Sequence, residues 1–220
     1  MSPRQTLIAL IPLAYLLGSI PFGLLVALSK GLDPRTAGSG NIGATNVGRL
    51  LGPKYFAIVF ILDLVKSLLP VLAATLLLKN LPLVWPNYLL CLLVAFAAIL
   101  GHMFPLFLHF QGGKGVATSA GAILGLFPYF TLPALLTLLI WLTVFLIWRY
   151  VSLASILAAL AFPLCYLAFA LPLGWSPLGQ QLPLLAFSIV VAALVVLRHR
   201  GNIARLRAGT EHRIARAQRT

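Results

Sequence analysis

Acid is nearly absent from this chain: Asp33, Asp63 and Glu211 are the only three carboxylates in 220 residues, against 16 Lys and Arg. No Ser or His therefore has an evident acid partner to orient it as a nucleophile or base in a triad. Cysteine is equally scarce. Cys91 and Cys165 both fall within apolar runs, without other ligand types at metal spacing, which argues against a disulfide framework and a zinc site and leaves them as small apolar fillers. Charge of any kind is rare too, at 9% of residues against 61% hydrophobic, with a mean hydropathy of +1.03. That is far too little polar surface to cover a water-soluble globule. The basic segment from Arg198 to Thr220 contains no aromatic residue, so the net charge of +13 does not read as a nucleic-acid interface. Attraction to anionic headgroups and a topological bias account for it.

What the chain does have is long apolar runs. Stretches of about 17 to 25 such residues cross the hydrocarbon core as helices, and candidates lie at Leu7–Leu28, Tyr55–Leu78, Leu89–Leu108, Val116–Phe130, Leu132–Trp148, Val151–Leu171 and Leu182–Leu197. The fourth is the shortest. None shows the alternation of a barrel strand, so helices are the way to satisfy the backbone in lipid. The expectation is an all-α integral membrane protein of seven transmembrane helices, one polytopic domain over residues 1–220 with a basic cytoplasmic tail at 198–220. The first run is longer than a signal-peptide core and is read as a span.

The basic residues set the orientation. Lys30, Arg35, Arg49, Lys54, Lys114, Arg149 and the seven arginines from Arg198 onward fall on one side, only Arg4 and Lys79 on the other, and Lys66 within a span. The sequence thus predicts an outward N-terminus and an inward tail.

Three glycine-rich polar islands, at residues 38–49, 101–118 and 199–211, follow spans one, three and seven and so share the inward face. The first contains a formal dinucleotide fingerprint, Gly38-x-Gly40-x-x-Gly43, but a membrane helix rather than a strand precedes it. The glycines still permit positive φ and a concavity of backbone N–H groups. Ser39, Asn41, Thr45 and Asn46 add neutral donors and Arg49 a planar charged fork suited to phosphate. A tight interhelical loop would also use Gly and Asn for turns; Ser39 and Arg49 beside so many donors favour anion binding. In the second island Gly112-Gly113-Lys114-Gly115 departs from a Walker loop, with Leu108 at its first glycine position and Gly115 at its Ser or Thr position. Lys114 between glycines can nonetheless approach a phosphate or an oxyanion. His102 sits beside the helix break made by Pro105 and is given a supporting role. In the third island His199 and Asn202 are three residues apart on one helical face, with Arg205 three further on. Asp63 and Lys66, at i,i+3 inside a span, are expected to pair as a buried brace, since either charge alone costs about 2.5 to 3.5 kcal/mol there.

Taken together SGNIGATN, GHMFPLFLHFQGGKGVAT and HRGNIARLRAGTE resemble the bacterial acyl-phosphate:glycerol-3-phosphate acyltransferase family along almost the whole chain. The resemblance implies acyl transfer from acyl phosphate to the 1-hydroxyl of sn-glycerol 3-phosphate, giving lysophosphatidate and phosphate, the first acylation of phospholipid synthesis. It implies a bacterial inner-membrane enzyme with a cytoplasmic active site. It assigns Ser39, Arg49, Lys114, His199 and Asn202 to the catalytic site, and Gly38, Gly40, Gly43, Gly112 and Gly113 to a phosphate-cradling backbone. Asp63, Lys66, His102 and Glu211 are supporting residues, Glu211 as a candidate for ordering the tail through its arginines. Gln111 and Pro34 depart from the family pattern. No nucleotide, metal or other cofactor is implied, and no obligate protein partner is evident; substrates and the bilayer are the expected partners. None of the four histidines has an acid five residues on, the spacing of His-x4-Asp acyltransferases. A transporter of an anionic phosphorylated metabolite is the alternative, though no internal repeat supports it.

Overall fold

The computed structural model describes residues 1–79, 81, 82 and 84–214; Arg216 and Arg219 of the expected tail lie outside the described residues. Ten α-helices form among the described residues: α1 (Pro3–Ser19), α2 (Phe22–Leu28), α3 (Ala44–Leu51), α4 (Pro53–Leu78), α5 (Trp85–Met103), α6 (Val116–Gly125), α7 (Thr131–Trp148), α8 (Val151–Ala170), α9 (Leu182–Arg198) and α10 (Arg200–Arg207). Their ends follow local chemistry. The Ser2 hydroxyl accepts from the Gln5 N–H while the Gln5 side chain accepts from the Ser2 N–H, a capping box with Pro3 in the first turn. Pro21 separates α1 from α2, Gly52 at φ +98° turns the chain into Pro53, and Pro105 follows the end of α5.

Helix α5 occupies the centre, with 56% of its most apolar window buried, against 11% for α7. It packs on α1 through small residues: a Cβ on Gly18 would stand 2.2 Å from the Ala98 carbonyl oxygen, and one on Gly101 2.2 Å from that of Tyr15. Side-chain-free contacts let membrane helices approach where lipid offers no hydrophobic drive. Phe130, at the foot of α7, meets Phe162 and Tyr166 of α8 edge-on at 5.1 and 5.4 Å, which anchors that end of the core.

By length and hydropathy five helical segments among the described residues are able to cross a membrane, or six if α9 and α10, bent by 58° at His199, count as one. The seven expected spans are not reached because the run from Val116 forms only a ten-residue helix, about 15 Å long and half the hydrocarbon thickness. Pro128 stops it from extending further. The segment nevertheless runs from one end of the bundle to the other. It starts beside the second island, and the Tyr129 hydroxyl lies 2.8 Å from that of Tyr88 in the first turn of α5. The ends of α5, α7 and α9 therefore gather together: Arg198 donates to the Gly112 and Gly113 carbonyls at 2.7 and 3.1 Å, and the Ile214 N–H to the Arg149 carbonyl at 3.0 Å.

Candidate active site

All three islands open onto one cavity of about 460 Å³. Its polar end carries Ser39, Asn41, Thr45, Arg49, Lys114, His199, Asn202 and Glu211; the remainder, between α4, α6, α7, α8 and α9, is lined mainly by apolar side chains. Leu124, Leu135 and Leu138 line that apolar part and are 41%, 55% and 52% exposed, so it reaches the lipid-facing surface between α6 and the peripheral α7. An amphiphile with an anionic head and a long tail fits such a shape.

The first island is knitted by Asn46. Its amide nitrogen donates to the carbonyls of Pro34, Ala37 and Asn41 at 3.0, 3.1 and 2.9 Å, and its oxygen accepts from the Ser39 N–H at 2.9 Å. Expected as a donor to the anion, Asn46 instead spends its amide on the loop, because a buried amide must find partners where it lies. Asn41 likewise uses its side-chain oxygen to accept the Gly43 N–H at 2.9 Å. Gly38 and Gly40 do adopt positive φ, +60° and +68°, while the Gly40 N–H turns back to the Ala37 carbonyl at 3.1 Å. This fold of the loop delivers Ser39 and, from α3, Thr45 and Arg49 to the cavity.

The second island departs further from the expectation of a glycine cradle. The N–H groups of Gly112 and Gly113 donate to the Met103 and His102 carbonyls at 3.2 and 3.1 Å, and their own carbonyls are taken by Arg198. These peptide groups are committed to the ends of α5 and α9. Gly113 is required by contact instead: a Cβ there would lie 2.1 Å from His102 Nε2. Backbone donors are left at the starts of α3 and α6, where Ala44, Thr45, Val116 and Ala117 line the cavity and first-turn N–H groups have no carbonyl of their own helix. Lys114 stands just before α6. Burial pushes its ammonium down to about 8, with Glu211 opposing and Arg205, Arg49 and Arg198 adding to the effect. Arg49 is lowered for the same first reason, loss of solvent.

The third island closes around Glu211. Its carboxylate accepts from Asn202 Nδ2 at 2.7 Å, Ser152 Oγ at 2.9 Å and Arg205 Nε at 2.7 Å. Burial acts against its charge, but the hydrogen bonds from Asn202, Arg205 and Ser152 outweigh it and hold Glu211 below the usual carboxylate range. Asn202, expected at the reacting centre, thus gives one amide hydrogen to Glu211. The 58° bend breaks the single helical face expected for His199 and Asn202, yet both remain buried at the cavity. His199 Nδ1 lies 2.7 Å from the Val195 carbonyl, which only accepts, so Nδ1 carries the hydrogen and Nε2 of the neutral ring is an acceptor.

Asp63 and Lys66 pair at 2.8 Å and are both buried, with His102 Nδ1 3.0 Å from the ammonium. Arg198 and Ser152 were not singled out from the sequence. Arg198 reads there as one more interfacial arginine and Ser152 as a small residue in an apolar run; the position of Arg198 next to His199 was the available signal.

Fold and cavity together define a multi-pass α-helical membrane protein whose cavity has a basic, polar end and a lipid-facing groove beside it. Residues 8–209 match the family described as glycerol-3-phosphate acyltransferase. Relatives of that name include one from Geotalea daltonii, 48% identical over 205 residues covering 93% of this chain and 96% of the relative. Another, from Aquifex aeolicus, is 45% identical over 205 residues, covering 93% and 97%. Crystal structures of PlsY (YgiH), an integral membrane glycerol 3-phosphate acyltransferase, are similar in their glycerol 3-phosphate form (TM-score 0.81, 43% identity, 96% of each chain) and lysophosphatidic acid form (TM-score 0.79, 42% identity, 96% of each chain). The chain belongs to the glycerol-3-phosphate acyltransferase family and is an acyltransferase.

Proposed function

We propose that this protein transfers a fatty acyl group from acyl phosphate to the 1-hydroxyl of sn-glycerol 3-phosphate, releasing lysophosphatidate and inorganic phosphate in the first acylation of phospholipid synthesis. The supporting observation is the two-part cavity: Arg49 and Lys114 at a polar end, joined to an apolar groove that reaches lipid. Arg49 presents a bidentate fork to one phosphate, and Lys114, Ser39 and the helix starts receive the rest of the anionic charge. The acyl tail lies in the groove between α6, α7 and α8.

An acyl phosphate is already activated, so the protein's work is to position two anions and stabilise a tetrahedral oxyanion. The glycerol 1-hydroxyl attacks the acyl carbonyl, the C–O bond to phosphate breaks, and the hydroxyl proton passes to a phosphate oxygen of the donor. His199 Nε2, an acceptor, helps to orient the hydroxyl, and Glu211 sets Asn202 and Arg205 around it. On this reading the island end faces the cytoplasm across the bacterial inner membrane and the N-terminus lies outside, which the excess of Lys and Arg at the island end supports.

The test supplies purified protein with radiolabelled glycerol 3-phosphate and either palmitoyl phosphate or palmitoyl-CoA, and follows phosphate and lysophosphatidate. Product with acyl phosphate alone is expected. Product with palmitoyl-CoA alone would replace the donor, and an acyl-enzyme trapped on Ser39 would replace direct attack.

A further inference from the structure

His102 is buried, packed inside the bundle at the end of α5, and lines the cavity. Its Nδ1 faces Lys66 Nζ at 3.0 Å. That ammonium donates to the Ile20 carbonyl at the break between α1 and α2, at 2.8 Å, pairs in charge with Asp63 Oδ1 at 2.8 Å, and faces His102 Nδ1. An ammonium has no lone pair to accept with, so the contact requires an Nδ1 without a proton. Asp63 Oδ1, 3.6 Å from Nδ1, is too far to accept a hydrogen from it. The hydrogen of the neutral ring is then on Nε2.

That edge of the ring lies against Gly113, whose missing Cβ leaves it open, and no protein acceptor meets Nε2 among the described residues. The next residue along is Lys114. We propose that Lys66 locks His102 as its Nε2–H tautomer, and that this N–H is a further substrate-binding donor, directed at an oxygen of the anion held beside Gly113 and Lys114. Lys66 and Asp63 are positioning residues that act through the ring. The inference deepens the proposed function and rests on it for the identity of the anion.

Ring-15N-labelled protein provides the test, with the His102 resonances identified by their loss in His102→Gln or His102→Asn. The expected spectrum has Nε2 protonated and Nδ1 bare. Titration with glycerol 3-phosphate, and separately with inorganic phosphate, moves the Nε2 resonance with little change at Nδ1. A ring protonated on Nδ1, or an Nε2 that neither anion moves, overturns the proposal. In the acyl phosphate assay Gln, whose amide reaches the Nε2 position, retains more activity than Asn, whose amide reaches only the Nδ1 position. The gap in kcat/KM is about tenfold, the worth of one lost hydrogen bond in a buried site. If Asn performs as well as Gln, the ring serves only as an acceptor for Lys66 and the donor role falls. A wild-type protein inactive with acyl phosphate would sink the proposed reaction, while the tautomer and the anion titration would still be read.

Discussion

Within the spans, Lys66 donates to the Ile20 carbonyl, lies 3.0 Å from His102 Nδ1 and is paired in charge with Asp63 at 2.8 Å. At the island end Glu211 satisfies Arg205 and Asn202 but stands against Lys114 and Arg49 as well, both of which line the same cavity. The first cluster is closed on its cation: it places one carboxylate against one ammonium and meets the cavity only through Asp63 and His102. The second holds more positive charge than its single carboxylate neutralises; Lys114 is depressed first by burial, and Arg205, Arg49 and Arg198 add to the effect against Glu211. Charge buried in balance braces a membrane protein, whereas charge left in excess at a cavity calls for an anionic ligand.

The closed cluster should break in stability. Lys66→Met leaves Asp63 buried without its cation, and stranding one member of a buried pair costs about 3–5 kcal/mol. The expected outcome is a large fall in the unfolding midpoint and in monodisperse yield in detergent, partly recovered by adding Asp63→Asn. Asp63→Asn alone should lower yield more than it changes glycerol 3-phosphate affinity; normal yield with altered affinity would count against the brace.

The open cluster should break in activity. Lys114→Ala and Arg49→Ala are expected to lower kcat/KM by on the order of 10² to 10³, as removal of one preorganised donor to developing charge does. Folded yield stays close to wild type, since neither side chain completes an internal pair. Arg49→Lys should recover only part of the loss, because an ammonium cannot reproduce the bidentate fork. Near-normal turnover in both alanine variants would remove the anion site from this end of the cavity.

How far the sequence carried these clusters differs for a physical reason. Asp63 and Lys66 are legible as a pair because i,i+3 spacing on a helix puts them together whatever the rest of the fold does. The convergence of the islands is legible because each follows an apolar run expected to end on the same side, and residues of all three line one cavity. The role of each glycine is not: whether an N–H faces a ligand or a carbonyl depends on tertiary approach, and those of Gly112 and Gly113 go to the end of α5. Asn46 and Asn202 were hidden in the same way, each amide satisfied by groups distant in the loop or on another element. The short α6 escaped because hydropathy continues through Pro128 while the helix does not.

A pH series sharpens the contrast, since Lys114 titrates near 8 and its cluster is exposed to the cavity. The ammonium is the form that holds the anion, so kcat/KM should decline as pH rises through about 8. Stability should move the other way. With a folded pKa below the ordinary 10.5, the unfolded chain binds more protons between about 8 and 10.5, and the stability attributable to this residue rises with pH across that window. Lys114→Arg, charged throughout, should flatten both trends in detergent-phase assays and melts. Parallel declines of activity and stability would mean that the activity loss is unfolding.

The smallest effect is expected where there is no charge at all. Ala159 lines the apolar groove on α8, away from both clusters, and Ala159→Phe would fill space that a long acyl chain needs. Apolar pockets discriminate weakly, about 1–3 kcal/mol for each methylene gained or lost, and the groove's opening to lipid lets a tail divert around an obstruction. A few-fold fall in kcat/KM for palmitoyl phosphate is therefore expected, with little change for octanoyl phosphate and an unchanged KM for glycerol 3-phosphate. If both donors fell together, or if the glycerol 3-phosphate KM rose, the substitution would be disturbing the charged end, and the separation between a headgroup site and an acyl groove would be drawn in the wrong place.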